Sequence, residues 1–323
     1  MGLHRSATVS VRAVATGSPV ALHGRLSVKG NRIVDEHDQP VQLRGVSFAW
    51  SQWWGEYWTA GDVDWLVDDF KVQLVRASMG VEKAQGGYLT DAATAAREKA
   101  KVVTVVDEAL ARGIYVLIDW HEEKATDHVD QSKAFFQEMA TKYGQHPNVI
   151  YELYNEPTDR TWSQIKTYAV AVTDAIRAID PDNLIIVGTP SWSQEVDKPA
   201  ADPMTQSNIA YTLHFYADTH KQSLRSTAQA ALNKGIALFV TEWGGMNAQC
   251  EGQLNATETD AWIKFMDDNM VSSAAWAIAD QDGQTCSMLF PSQSTSGHWP
   301  VSSLSEWGQQ IRTMLRRYAG FTP

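Results

Sequence analysis

The sequence predicts an α/β fold, a single (β/α)8 TIM barrel preceded by a short N-terminal β-hairpin. Eight apolar segments recur along the 323-residue chain, and helical patterns fill most of the intervals between them. Several segments are nearly continuous apolar runs, which is typical of strands buried on both faces. This alternation favours a closed parallel barrel over the alternative, an open doubly wound sheet. The predicted strands lie at 41–48, 72–79, 114–120, 149–155, 184–189, 209–215, 236–242 and 273–279.

Turn residues and helical periodicity define the elements around these strands. Residues 26–45 alternate short β-rich runs with the turn Lys29-Gly30-Asn31, which predicts the hairpin. A glycine stands where three of the helices should end, as is common at helix C-termini. The interval 190–208 has no strong period, so its helix should be short or irregular. Helices are predicted at 61–70, 91–113, 131–144, 163–180, 226–235, 257–269 and 302–317.

We expect one domain over residues 25–323, preceded by a leader or tail at 1–24 that could be disordered. No internal repeat, low-complexity tract or linker follows residue 25. The leader contains no convincing secretory signal, because Arg12 interrupts its apolar stretch and no clear cleavage site follows. No apolar run approaches the roughly 20 residues needed to cross a bilayer, so no membrane partner is expected.

The charge balance limits the classes of partner. Acidic residues outnumber basic ones by 38 to 27, for a formal net charge of −11. This disfavours nucleic acid and anionic membranes, because both require a basic surface.

The chain also contains thirteen tryptophans, several beside turn-forming or polar residues, such as Trp50 and Trp192. Such residues suit either a rich core or flat surfaces for stacking. We expect a monomer.

The two cysteines leave two alternatives open. Cys250 and Cys286 could pair, and the closed loop would then stabilise the fold by roughly 3–4 kcal/mol. They could equally remain free thiols. The chain has no CxxC pair and no Cys/His spacing typical of metal sites, so we expect neither a metal nor a cofactor.

Polar and aromatic residues accumulate at the C-terminal ends of the predicted strands, where barrels place their catalytic groups. Two of them, Glu156 and Glu242, end the fourth and seventh strands and should face a common mouth. Glycoside hydrolysis requires such a pair, one carboxyl protonated and the other ionised. A separation of about 5–5.5 Å would give retention of configuration. The strand ends also carry Arg76, Trp120, His121, Asn155, Pro157, His214, Tyr216, Trp243 and Trp276.

The motif VIYELYNEP at 149–157 resembles the signature of glycoside hydrolase family 5, the cellulase family of clan A. The resemblance extends over roughly residues 25–320, and GVSFAWSQ, QGGYLTD and HFYA are similar to the family's bacterial endoglucanase branch. The active-site set of that family falls, in order and on the expected strands, on Arg76, His121, Asn155, Glu156, His214, Tyr216, Glu242 and Trp276.

The resemblance implies a role for each of these residues. Glu156 would be the acid/base and Glu242 the nucleophile, with Arg76 and Tyr216 donating hydrogen bonds to Glu242. Asn155 would hold the sugar 2-hydroxyl at the transition state. His121 and His214 would bind hydroxyls or tune the carboxylates, and Trp276 would stack beneath the sugar at the cleavage point.

The resemblance also implies an open cleft lined by aromatic residues. Trp50 and Tyr88 would bind sugars on the non-reducing side, and Trp192 would do so on the leaving-group side. One segment departs from the branch, which commonly carries a Lys and a Glu after the eighth strand. Gln281 and Gly283 occupy those positions here, and Asp280 or Asp282 could compensate. A weaker subsite, or a preference for mixed-linkage or decorated glucans, is the expected consequence.

The implied function is a retaining endo-β-1,4-glucanase acting on cellulose or related β-glucans, without a metal. The implied location is secreted or periplasmic, in a bacterium. Three alternatives stay open at this point: the same chemistry on mannan, xylan or mixed-linkage glucan, substantial transglycosylation, and a sugar-binding barrel without catalysis. A metal-dependent barrel hydrolase fits poorly, since the first strand has no His-x-His pair.

Overall fold

The computed structural model describes residues 17–322, and eight parallel strands in it form a closed barrel. Around the barrel, each strand lies beside its neighbour in the sequence, and the last barrel strand pairs with the first. All eight predicted strands and the barrel fold are confirmed. The barrel strands are β3 (Arg44–Phe48), β4 (Leu74–Gly80), β5 (Tyr115–His121), β6 (Val149–Glu152), β7 (Ile185–Val187), β8 (Ile209–Tyr216), β9 (Leu238–Gly244) and β10 (Ser273–Ile278).

Helices surround the barrel, and each predicted helix is present. The interval 190–208 contains only two short helices, as its weak periodicity predicts. Residues 66–70 continue α2 as a π-turn. The helices are α1 (Pro19–His23), α2 (Ala60–Trp65), α3 (Ala92–Arg112), α4 (Val129–Tyr143), α5 (Trp162–Arg177), α6 (Pro190–Ser193), α7 (Asp197–Ala201), α8 (Gln222–Asn233), α9 (Ala256–Asp268) and α10 (Glu306–Tyr318).

The predicted hairpin is present and closes the N-terminal end of the barrel. It pairs β1 (Ser27–Lys29) with β2 (Arg32–Val34) in antiparallel register. Ile33 packs in one buried cluster with apolar residues that point into the barrel, among them Leu74 and Leu117. The apolar cluster and the hairpin therefore close this end, and the functional groups must lie at the other.

The segment predicted as a leader lies mostly outside the described residues. Residues 1–16 fall there, and the last residues of the segment form the one-turn helix α1. Tyr115 of the barrel donates a hydrogen bond from its hydroxyl to the carbonyl of Gly24 at 2.6 Å. The division of the chain at residue 25 stays a prediction.

Alternation along the strands separates a helix-facing layer from an inward-facing one. In β4, Val75, Ala77 and Met79 belong to the large apolar cluster between strands and helices. The intervening residues face the barrel interior, where Leu74 is apolar and Arg76 is charged. The interior is thus apolar near the hairpin and polar near the C-terminal mouth.

A disulfide joins two loops at that mouth. Cys250 follows β9 and Cys286 follows β10, and their Cα atoms lie 5.1 Å apart in the bonded pair. The carbonyl of Cys286 accepts a hydrogen bond from the amide of Ala277, the residue after Trp276, at 3.1 Å. The bond therefore decides the alternative that the sequence leaves open, and it holds one wall of the mouth together.

Among residues 17–322, no helix combines the length and apolar character that spanning a membrane requires.

We predict that removing this disulfide destabilises the fold. The cysteines are 36 positions apart, and a loop of that size should contribute about 4 kcal/mol by the chain-entropy relation. The double variant Cys250→Ser/Cys286→Ser should lose about that much free energy of unfolding in urea titrations. Reductant should destabilise the parent to the same extent and leave the double variant unchanged. Equal unfolding midpoints for parent and variant would contradict the prediction.

Candidate active site

Two glutamates face each other across the C-terminal mouth of the barrel. Glu242 lies within β9, and Glu156 lies in the turn after β6. A carboxylate oxygen of Glu156 and one of Glu242 lie within 4.8 Å of each other. Both side chains are largely shielded from solvent, being 18% and 7% exposed respectively. Both carboxyl groups can therefore reach one bond of a molecule in the mouth.

Two buried donors hold the Glu242 carboxylate. Arg76 donates from Nη1 to Oε2 at 2.9 Å, and the Tyr216 hydroxyl donates to Oε1 at 2.8 Å. Burial raises the pKa of Tyr216 well above its usual value, and the charge of Glu242 adds to this, so the phenol keeps its proton. Because each oxygen accepts from one of these donors, the carboxylate is oriented and its charge is stabilised.

Arg76 is the centre of a buried ionic network. It has no exposed surface, and its Nε donates to Glu152 at 2.7 Å. Its Nη2 lies 2.9 Å from Asp119 Oδ2. Burial by itself would lower the pKa of Arg76, but the three carboxylates Asp119, Glu152 and Glu242 reverse this and raise it. One cation thus faces three acidic groups, and burial raises the pKa of Asp119 to about 7 and also raises the pKa of Glu152.

Glu156 has a different environment, which favours its protonated form. Burial raises the pKa of Glu156 to about 8, although Arg76 opposes the shift. Its direct partner is His214, whose Nδ1 lies 2.8 Å from Oε1. Burial lowers the pKa of His214 to about 4, so this imidazole is neutral at neutral pH and adds no positive charge beside Glu156. Thr241 holds the other ring nitrogen of His214 at 2.8 Å.

Asn155 connects the arginine network to the mouth. Its Oδ1 accepts a hydrogen bond from Arg76 Nη2 at 2.7 Å, and its side chain contributes to the lining of the cleft. Its main-chain carbonyl accepts from the Ser193 hydroxyl at 2.8 Å. With its oxygen engaged by an arginine, the amide presents its nitrogen as a donor to a ligand.

Aromatic rings form one wall of the cleft. The imidazole of His121 stacks parallel to the indole of Trp276 at 5.4 Å between centroids. The ring of Trp50 is perpendicular to the same imidazole, with centroids 4.2 Å apart. Asp119 Oδ2 fixes the His121 ring through Nδ1 at 2.7 Å. Burial lowers the pKa of His121 well below its usual value, so the ring is neutral. Neutral rings of this kind suit the apolar face of a sugar.

The structure gathers most predicted residues at one site but leaves others outside the cleft lining. Gln281 lines the cleft, whereas the ring of Tyr88 packs against Trp120 and Phe135. Trp192 is 50% exposed and lies outside the lining. Asp280 accepts a hydrogen bond from the Ser292 amide at 2.9 Å. The roles predicted for Tyr88, Trp192 and Asp280 stay predictions.

Sequence reasoning missed Asp119 and Glu152, which both contact Arg76. Each is a fully buried carboxylate in an otherwise apolar strand, YVLIDWH in β5 and VIYE in β6. An acidic residue at an inward position of a buried strand is a signal that could have identified them, because such a charge must be paired. Two cleft-lining glutamines, Gln249 and Gln284, lie on loops with no comparable pattern.

Three donor groups of the site are close enough to bind a cation. Atoms of Glu156, His214 and Glu242 lie within 4.8 Å of one another. Both nitrogens of His214 already have partners, and both oxygens of Glu242 accept hydrogen bonds. The network of acid, base and hydrogen-bond donors accounts for this proximity without a metal.

Comparison with known proteins identifies the family. The model of the cellulase family, glycosyl hydrolase family 5, matches residues 34–282. The chain belongs to glycosyl hydrolase family 5. Endoglucanase Z of Dickeya dadantii is 50% identical over 91% of this chain and 66% of the relative. Endoglucanase N of Pectobacterium atrosepticum is 41% identical over 93% of the chain and 67% of the relative.

The chain spans about two thirds of the length of these two curated relatives, which are bacterial proteins. Solved structures agree with the family 5 fold. The catalytic domain of Thermobifida fusca endoglucanase Cel5A superposes with a TM-score of 0.87 at 34% identity, covering 93% of this chain and all of that domain. A structure from Cytophaga hutchinsonii has a TM-score of 0.91 at 47% identity, covering 94% of this chain and 98% of the other.

The raised pKa of Glu156 predicts how activity depends on pH. An acid with a pKa of about 8 holds its proton below that value and loses it above, so kcat/KM should fall as pH rises through about 8. The measurement is the pH profile of kcat/KM on a soluble cello-oligosaccharide. A dinitrophenyl cellobioside, whose leaving group needs no proton, should lack this decline. A decline that is equal for both substrates would contradict the assignment to Glu156.

Proposed function

We propose that this protein is a retaining endo-β-1,4-glucanase that cleaves internal bonds of cellulose and related β-glucans. The observation that carries the proposal is the pair Glu156 and Glu242, with carboxylate oxygens within 4.8 Å of each other. Retaining glycosidases place their carboxyl groups about 5–5.5 Å apart, whereas inverting ones need about 6.5–9.5 Å for a water molecule. The separation here leaves no room for that water.

The different surroundings of the two carboxyls support their separate roles. Glu242, in contact with Arg76 and Tyr216, would attack the anomeric carbon as a carboxylate. Glu156, buried beside a neutral histidine, would donate its proton to the departing glycosidic oxygen. The bond from the anomeric carbon to the leaving oxygen breaks as the ester to Glu242 forms, and the shortened sugar chain departs as an alcohol.

The second step would return both groups to their starting state. Ester formation removes the negative charge of Glu242, so the deprotonated form of Glu156 becomes easier to hold. Glu156 would then take a proton from water as the water oxygen attacks the anomeric carbon. The ester bond breaks, Glu242 leaves as a carboxylate, and the new hydroxyl has the original β-configuration.

The residues around the pair suit an oxocarbenium-like transition state. The free donor of Asn155 would bind the 2-hydroxyl of the sugar, a contact that strengthens as positive charge develops. Trp276, stacked on His121, would support the ring from below. These contacts would position the cleaved sugar beside Asn155 and between the two carboxyls.

The shape and chemistry of the cleft support a polymeric glucan as substrate. Trp50, Trp53 and Trp54 extend the lining away from the catalytic pair, and Gln249, Gln281 and Gln284 line it beside the disulfide. An open groove with several aromatic surfaces favours internal cleavage. A variant of the related Thermobifida fusca Cel5A domain has been solved in complex with cellotetraose, at 33% identity to this chain.

We also propose that the protein acts outside the cytoplasm as a monomer. The Cys250–Cys286 disulfide supports an oxidising compartment, secreted or periplasmic. A substrate that is an insoluble polymer supports the same location. All groups of the catalytic network come from one chain, which supports a functional monomer.

The nucleophile assignment predicts a loss of activity with a specific signature. Glu242→Ala should lower kcat by about 10⁴-fold or more, because the covalent route is lost. Glu156→Ala should remain active on a dinitrophenyl cellobioside, and azide should then yield a β-glycosyl azide. NMR of the parent reaction should show the β-anomer as the first product. The rate of the parent reaction should be the same with and without excess chelator. An α-anomer as first product, or unchanged turnover of Glu242→Ala, would refute the mechanism.

The substrate assignment predicts fast loss of polymer length. The viscosity of carboxymethylcellulose should fall well before much reducing sugar is released, because an endo-acting enzyme cuts within the chain. Initial rates should be higher on carboxymethylcellulose and lichenan than on galactomannan or xylan. A preference for galactomannan would overturn the substrate while leaving the mechanism intact, and products longer than the starting oligosaccharide would reveal transglycosylation.

A further inference from the structure

A buried carboxylate lies behind the tryptophan end of the cleft, outside the catalytic network. Glu98 is on helix α3 and has no exposed surface. Apart from Thr94, the other buried residues of that helix are apolar, among them Val102 and Val105. Carboxylates are rarely buried without partners, because removing the charge from water is energetically unfavourable. The groups that contact Glu98 therefore indicate which part of the structure its charge stabilises.

Apart from an arginine next to it on its own helix, the contacts of Glu98 lead to one loop. Oε2 accepts a hydrogen bond from the Ser51 hydroxyl at 2.6 Å. Lys101 Nζ lies 2.9 Å from Oε2 and 3.0 Å from Oε1, and it also donates to the Ser51 carbonyl at 2.6 Å. The same lysine passes against Gly55, where an added Cβ would lie 2.6 Å from Nζ. Helix α3 thus contacts the loop 50–57 through one acid and one base.

Ser51 connects this pair to the barrel. Its hydroxyl accepts a hydrogen bond from the Gly80 amide at 3.1 Å, and its own amide donates to the Ser78 carbonyl at 3.3 Å. Both partners lie at the C-terminal end of β4. Ser51 is completely buried, so the residue sits between the strand end and Glu98 without contact to solvent. The position of the loop at Ser51 therefore depends on its hydrogen bonds to β4 and on those to Glu98 and Lys101.

Two tryptophans close to Ser51 in the sequence line one side of the cleft. Trp50 and Trp53 line it, with ring centroids 5.0 Å apart, and Trp50 also contacts the ring of His121. Trp53 is 47% exposed, and its ring contacts Trp50 and Trp54 of the same loop. Its amide donates to the Trp50 carbonyl at 3.1 Å. The orientation of this pair of rings therefore depends on how Ser51 is held.

We propose that Glu98 is a positioning residue for the Trp50–Trp53 pair, whose outer ring, Trp53, binds sugar units beyond the one that is cleaved. The proposal rests on the proposed glucanase function. Glu98 touches no substrate, and it acts by accepting a hydrogen bond from the Ser51 hydroxyl and by pairing with the charge of Lys101. Its loss should weaken the binding of long cello-oligosaccharides and leave the catalytic step unchanged, because its polar partners do not include Arg76 or the catalytic pair.

The test measures binding without turnover. In the Glu242→Ala background, Glu98→Gln should raise the Kd for cellohexaose, followed by tryptophan fluorescence, by about 5-fold, the effect of one misplaced aromatic contact. The Kd for cellobiose should change by less than about 2-fold. In otherwise unmodified enzyme, Glu98→Gln should raise KM for cellohexaose with kcat within about 2-fold. Equal factors for cellohexaose and cellobiose, or no change for either, would overturn the proposal.

A double-mutant cycle tests whether Glu98 acts through the rings. Trp53→Ala should raise the Kd for cellohexaose, and adding Glu98→Gln should then have an effect of less than about 2-fold. Independent effects that multiply would overturn the proposal. If Glu98→Gln does not fold, Ser51→Ala removes the same link with a smaller change and should give the same pattern.

Glu258→Gln is the matched control. Glu258 is a helical carboxylate paired with Arg225 at 2.8 Å, on the other side of the barrel from α3 in strand order. It should leave the Kd for both sugars unchanged. Failure of the glucanase assignment would be a separate result, since the parent would then bind and cleave no cello-oligosaccharide. If only the present proposal fails, the parent is active and Glu98→Gln binds cellohexaose as tightly as the parent does.

Discussion

The arrangement of the active site depends on one buried cation. The guanidinium of Arg76 has no contact with water and pairs with Asp119, Glu152 and Glu242. An arginine suits this position because its planar group presents donors in several directions and keeps its charge. The partners come from β5, β6 and β9, while the arginine comes from β4. A single side chain therefore links four strands and sets the position of the nucleophile.

The two carboxyls of the proposed catalytic pair have different electrostatic surroundings, and the network around Arg76 contributes to this difference. Three acidic groups around one cation leave an excess of negative charge, and burial raises the pKa of Asp119 and of Glu152. Glu242 receives both a charged and a neutral donor, whereas Glu156 faces only a neutral imidazole. In the proposed mechanism, two residues of the same type act as nucleophile and acid because their surroundings differ. The distinction comes from the neighbours and not from the glutamates.

Around this centre, each part of the fold has a defined effect on the cleft. The hairpin and the apolar lower interior close one end of the barrel, so that only the mouth admits a ligand. The loop 50–57 brings tryptophans to one side, held by Glu98 from behind. The disulfide joins the loops after β9 and β10 on the other side. The strands position the proposed catalytic groups, and tethered loops position the aromatic and polar side chains that line the rest of the cleft.

The sequence by itself determined the barrel, because buried parallel strands leave apolar runs and helices leave a period of 3.6 residues. It also predicted Glu156 and Glu242 as the catalytic pair, since catalytic groups of a barrel stand where strands end and the chain reverses. Only the tertiary structure decided the disulfide, the pairing of Asp119 and Glu152 with Arg76, and the outward packing of Tyr88 against Trp120. These features join residues from different strands and loops, and local patterns carry no information on which distant side chains meet. The burial that makes one glutamate an acid arises only when the whole barrel closes around it.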